Sequence, residues 1–318
     1  MTRMSAGPAS QPARPGRLAR IWDSDVGYSF RTSPVAMVSA LIALSLILVA
    51  LLAPWIAPQD PFDAASLDLS DGFSKPMQPN EITGRVFWLG TDNQGRDMFS
   101  ALLYGSRVSL LVGFASVVFS LVIGVSLGLV AGYAGGRTEA FIMRVADIQL
   151  SFPAILIALL VFGVARGVIP PALQEDLTLV ILIVAIGISN WAQYARTVRA
   201  STLVEKGKDY VEAARLVGLP SWLVLIKHVL PNVAGPVLVI ATINLALAII
   251  EEATLSFLGV GMPPTQPSLG TLIRVGQQFL FSGEWWILLF PALALVLLAL
   301  SINLLGDWLR DALNPRLR

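Results

Sequence analysis

The chain has 318 residues, 55% of them hydrophobic and 14% charged, against about 25% charged in ordinary soluble proteins. A mean hydropathy of +0.71 excludes a soluble single domain, and a formal net charge of +1 leaves no basic surplus for nucleic-acid binding. With no cysteine and one histidine, His228, disulfides, thiol nucleophiles and multi-histidine metal sites are excluded, and no cofactor or metal is expected on the chain.

The first 34 residues carry Pro8, Pro12 and Pro15 among few apolar side chains and read as a flexible tail. A spanning helix needs about 20 apolar residues. Six uncharged stretches of that scale follow, at 35–57, 108–133, 148–165, 177–195, 229–250 and 285–306, predicting an all-helical membrane protein. The first begins too late and runs too long for a signal peptide. The third is short, with a beginning set back near Glu139, and the fifth runs on past Glu251. Segment 58–107, with Pro58, Pro61, Pro76 and Pro79, reads as an ordered, irregular extracytoplasmic loop. Placing the N-terminus inside puts sixteen basic residues inside and six outside. Because basic residues collect on the cytoplasmic side, both termini are expected there, including a tail at 307–318. The five-helix core then covers 108–306 and contains a long inside connection at 196–232.

Within the second span Gly124, Gly128, Gly132 and Gly136 recur every four residues, a stripe for close helix packing. Arg144 and Asp147, three residues apart at the inner end of the third span, can pair there.

The connection 196–232 is too long to lack structure. Asp209 followed three residues later by Glu212 reads as a capping box, Gly218 as the glycine after a helix end and Pro220 as a stop. These signals frame a short helix at 210–217. On it Tyr210, Ala213, Ala214 and Val217 form one small apolar face, with Glu212 and Arg215 on the other side. Isolated helices shorter than about 12 residues are marginal in water, so this one must pack on something: the chain's own helix ends, or another protein. His228 reads as a loop residue near the headgroups, and Pro231, Pro236, Pro153 and Pro291 as bends.

Glu251 and Glu252 fall toward the outer part of the fifth span. Neighbours on a helix diverge by about 100°, so only one can face a given partner. Either marks the outer pathway or a helix–helix contact. Trp285 and Trp286 read as an interfacial belt. No phosphate-binding loop occurs: Gly207-Lys208-Asp209 lacks the leading glycine and the Mg²⁺-holding hydroxyl, so any ATP drive must enter from another polypeptide.

The run Glu212-Ala213-Ala214, Gly218, then His228-Val229-Leu230-Pro231 resembles the EAA loop of ABC-importer permeases. Further segments resemble the C-type subunit of the dipeptide/oligopeptide/nickel branch, from Leu89-Gly90-Thr91-Asp92 through Gly105-Ser106-Arg107 to Glu252-Ala253-Thr254-Leu255-Ser256-Phe257-Leu258-Gly259 and Gly306-Asp307-Trp308-Leu309-Arg310-Asp311. Leu269 stands where relatives usually have Trp, and Asn314 where Asp is usual. The resemblance implies a type I ABC-importer permease fold in the inner membrane, forming half of a pathway for peptides or similar solutes. It implies that Tyr210, Glu212, Ala213, Ala214, Arg215, Val217, Gly218 and Pro231 couple to an ATPase. It also implies a homologous second permease subunit, one or two ATP-binding subunits holding ATP and Mg²⁺, and an extracytoplasmic substrate-binding protein.

Two rivals stand beside it. An ion-coupled secondary transporter or channel would use Arg144, Asp147, Glu251 and Glu252 as coupling charges, but the uncharged cores of spans one, two, four and six speak against it. A non-transporting scaffold would leave the inside connection as a docking patch.

Overall fold

The computed structural model describes residues 25–313. Helix α1, Asp25–Thr32, leads into α2, Pro34–Leu51. Ser33 caps α2, its hydroxyl accepting from the Ala36 amide at 3.3 Å, and Pro34 sits in the first turn, where its missing N–H is not needed. The expected first span does not run unbroken to residue 57: the chain breaks at Leu52 and Pro54 opens a separate short turn, α3, Ala53–Ile56. Part of the expected flexible tail is helical, because α1 packs on the far end of the chain. Phe30 meets the Trp308 ring edge-on at 5.1 Å, and the Trp308 indole donates to Ser29 Oγ at 3.3 Å. The rest of that tail, and Asn314, lie outside the described residues.

After an irregular segment, α4 runs Met98–Ala134, followed by α5, Gly136–Leu150, and α6, Ala154–Val168. Then come α7, Pro171–Glu205, α8, Asp209–Leu216, and α9, Ser221–Val224. A π-helical turn, Leu225–Val229, joins α9 to α10, Leu230–Phe257; α11, Leu269–Phe279, and α12, Trp286–Leu313, close the bundle. Helix α4 starts ten residues before the expected span, since Arg107 lies exposed on its surface rather than ending it. The outer loop is correspondingly shorter. Helix α12 likewise continues through the expected C-terminal tail to Leu313.

The third span is not one rod. Helices α5 and α6 are bent by 98° at the break between them. Pro153, which has no N–H and disfavours helix at the preceding residue, sits at the cap position just before α6. Pro236 and Pro291, in contrast, lie inside α10 and α12, which continue past them. At Pro231 the missing donor shifts the hydrogen-bond ladder, and the Leu230 amide reaches back five residues to Leu225 O. That slip is the π turn.

Helices α4 and α7 form the centre. A Cβ on Gly124 would lie 2.5 Å from Trp191 O, one on Gly128 2.7 Å from Ala195 O, and one on Gly132 2.6 Å from Thr202 Cβ, so these glycines let the two backbones touch. Gly136 is not part of this stripe; it opens α5 with φ +57° and nothing within 4 Å of its would-be Cβ. Around this pair Val112, Phe162, Leu182, Ile186 and Leu255 form a buried cluster joining α4, α6, α7 and α10.

Candidate functional site

Helix α8 lies between the ends of α7 and α10. Lys208 precedes it in extended conformation, and no side chain caps its start. The expected capping box is therefore absent: Asp209 is already the first helical residue, so its side chain is not placed to cap. The end does form as expected. Gly218 has φ +83°, its amide donates to Arg215 O at 2.9 Å and the Leu219 amide donates to Ala214 O at 3.2 Å, the paired bonds of a Schellman cap.

The single apolar face expected on α8 is split in two. Val211 and Ala214 turn inward, into a cluster with Tyr194, Val198, Val224 and Val229. Glu212, Ala213, Leu216 and Val217 face out, with Leu216 89% and Val217 82% exposed. Val211 decides the split, because it buries more apolar area than Ala213 could from the opposite side.

Tyr210 belongs to neither face. Its hydroxyl donates to Glu205 and accepts from Asn232 Nδ2 at 3.1 Å. Asn232 also donates to His228 O at 2.7 Å, so His228 lies in the ordered π turn rather than a loop. Lys208 Nζ reaches Glu205 Oε1 at 2.6 Å. Burial, and then the Glu205 carboxylate, push the Tyr210 phenol up to about 12. Arg215 donates to Tyr133 Oη at 3.2 Å and lies over that ring at 4.8 Å, joining α8 to α4. Pro231 acts through the π turn and is itself exposed.

The expected Arg144–Asp147 pair is not made. Asp147 pairs with Arg196 of α7 at 2.6 Å, and Glu139 pairs with Arg199. Helix α5 packs along α7, which brings the α7 arginines to its acids, while Arg144 is turned to the exposed side.

Glu251 and Glu252 do diverge. Glu251 accepts from Asn190 Nδ2 of α7 at 2.8 Å. Glu252, fully buried, accepts from Ser109 Oγ of α4 and from Ser256 Oγ, each at 2.7 Å. Ser109 also accepts from the Leu269 amide at 3.2 Å. Leu269 thus contributes its backbone at this contact, and its side chain is buried.

At the same end of the bundle, residues 57–97 are held by polar contacts. Asp71, buried, pairs with Arg85 at 2.8 Å and accepts from Thr83. Asp92 and Arg96 sit 3.6 Å apart and are both buried. Burial raises the Asp92 carboxyl despite the facing guanidinium, and the same burial lowers Arg96. Trp286 is not a belt residue: it is 3% exposed, with its indole turned into this loop, whereas Trp285 is 47% exposed.

Sequence reasoning did not single out Glu205, Asn232, Tyr133 or Asn190. Each acts on a partner in another element, and hydrogen-bond complementarity between elements leaves no periodic trace.

The family described as "Binding-protein-dependent transport system inner membrane component" matches residues 124–318, and "N-terminal TM domain of oligopeptide transport permease C" matches residues 21–76. The chain is 37% identical to the di/tripeptide transport system permease protein DppC of Pseudomonas aeruginosa, over 100% of this chain and 99% of that one. It is 35% identical to the oligopeptide transport system permease protein OppC of Bacillus subtilis, over 94% and 90%. Among solved structures it resembles a chain of the inward-facing MetNI methionine ABC transporter, with a TM-score of 0.53, 23% identity and coverage of 68% of this chain and 98% of that one, a likeness of fold.

Proposed function

This chain belongs to the family of binding-protein-dependent transport system inner membrane components, the permease subunits of ATP-driven importers, and from that premise we propose that peptides are its cargo and α8 its point of drive. As such a permease it is a multi-pass inner-membrane protein, not an enzyme, and works with ATPase and second permease subunits. The ion-coupled and scaffold alternatives fall with that membership.

The relatives named for di/tripeptide and oligopeptide transport support peptides delivered by an extracytoplasmic binding protein. The observation that carries the coupling reading is the outward face of α8. The helix is held from inside by Val211 and Ala214, capped at its end by Gly218, and still projects Leu216 and Val217 almost fully exposed. Large apolar side chains on a short, anchored, otherwise polar element suit a shallow cleft on a protein partner. In this reading Glu212, Ala213, Leu216 and Val217 touch the ATPase subunit, which holds ATP and Mg²⁺, while Tyr210 and Arg215 fix the helix behind them. The α8 end is then cytoplasmic, as are both termini, and the loop 57–97 is extracytoplasmic.

Leu216→Asp with Val217→Asp changes only exposed side chains. The expected result is an intact chain that no longer retains the ATPase subunits on purification and no longer supports uptake; retention with normal uptake would overturn the coupling reading. Because the chain has no cysteine, single cysteines at 82 and 216 report the orientation directly. An impermeant thiol reagent applied to whole spheroplasts should label the first and spare the second.

A further inference from the structure

We propose that Glu205, Tyr210 and Asn232 form a mechanical joint through which displacement of α8 is imposed on α7 and α10 together. The proposal rests on the coupling reading of α8 and assigns roles to Glu205 and Asn232.

Glu205 is the last residue of α7 and 8% exposed. Its two oxygens are used separately, Oε1 by Lys208 and Oε2 by the Tyr210 hydroxyl. The same hydroxyl accepts from Asn232, in the first turn of α10, at 3.1 Å. One phenol oxygen on α8 therefore connects the end of one long helix to the start of another. Asn232 is fixed in turn by the π turn, through its 2.7 Å bond to His228 O.

Helix α8 has supports besides these bonds. Its end is capped by its own backbone through Gly218 and Leu219, and its inward face is filled by Val211 and Ala214. The joint is also directional. Tyr210 stays protonated through neutral pH, so its hydroxyl can donate to Glu205 throughout that range, and of its two acceptors, Glu205 and His228 O at 3.4 Å, the charged one makes the stronger bond. The Arg215 contact to Tyr133 gives α4 a separate tether at the opposite end of α8, so a push on the outward face is shared among three long helices. Helices α7 and α10 meet again farther along, where Asn190 bonds Glu251, so displacement entering at one end of the pair is felt at that contact.

The test uses the complete importer with its binding protein in proteoliposomes, reading uptake of a mixed di- and tripeptide library per ATP hydrolysed. Tyr210→Phe and Glu205→Gln should each lower that ratio about fivefold, with ATPase subunits still co-purifying, and the double variant should be no worse than either single one. An unchanged ratio, or losses that multiply in the double variant, would overturn the joint. Loss of the ATPase subunits from Tyr210→Phe would assign the hydroxyl a purely structural role and overturn it too. Absence of ATP-driven peptide uptake by the unaltered complex would count instead against the peptide-importer reading.

Discussion

Trp286 donates its indole N–H to the Thr91 carbonyl at 3.0 Å, across 195 residues of sequence. The contact brings the first residue of α12 against the strapped outer loop, at a point where Gly90 has φ +77° and a Cβ there would lie 2.8 Å from the indole nitrogen. Trp286→Phe keeps the ring but leaves a buried carbonyl without its donor, which costs about 1–3 kcal/mol. Backbone amides over residues 71–97 should exchange faster by hydrogen-exchange mass spectrometry; unchanged exchange would show that the loop holds without this bond.

The glycines of α4 separate close packing from mere helix composition. Gly128→Leu drives a side chain into the α7 backbone and should destabilise the chain by about 1–3 kcal/mol. Gly163→Ala, on α6 with nothing within 4 Å of its would-be Cβ, should be neutral or stabilising by up to about 1 kcal/mol. Thermal unfolding in detergent compares the two, and equal melting temperatures would refute the packing argument.

Gly218 also has open space around its would-be Cβ, so any penalty there is conformational. Valine at φ +83° should cost about 1–2 kcal/mol, fraying α8 and weakening retention of the ATPase subunits. Asparagine, which tolerates this region, should do markedly less. Equal behaviour of the two variants in co-purification would mean that the left-handed cap is dispensable.

Tyr210 supplies a pH prediction with a definite sign. Its folded value, raised to about 12, exceeds the ordinary value of about 10. The stabilisation it represents is therefore complete below pH 10 and lost as pH climbs toward 12. In the phenolate absorbance difference between the chain and its Tyr210→Phe variant, Tyr210 should titrate late, and Glu205→Gln should move it back toward 10. A phenol titrating normally beside an intact Glu205 would contradict the geometry.

The spans were legible because hydropathy is a sum over many residues and tolerates local error. Their ends were not. Counting uncharged runs stops at Arg107 and Arg196, whereas the helices continue, since an arginine at a bundle surface needs only water or an acid, as Asp147 provides for Arg196. Helix α11, eleven residues with Arg274 and two glutamines, is too short and polar for such a count. On α8 the cap glycine was readable from local backbone chemistry, but which alanine faces inward was not: Ala213 and Ala214 are identical, and the choice was made by Val211 and the cluster it enters. The partners of Asp147, Glu251 and Glu252 could not be read either, because three-dimensional proximity, not spacing, selected Arg196, Asn190 and Ser109.

The glycine stripe has a consequence for how the two faces of the bilayer communicate. Helix α4 is 37 residues long and α7 is 35, about 55 and 52 Å at 1.5 Å per residue, against about 30 Å of hydrocarbon. Neither has a proline in its interior, and from Gly124 to Gly132 the glycines of α4 hold the two backbones with almost no gap. Such a pair behaves as a beam rather than a rope. A tilt of about 5° swings one end by about 5 Å relative to the other, close to one helical turn, so a small lateral push at one face becomes an aperture-sized movement at the opposite one without a hinge within the beam.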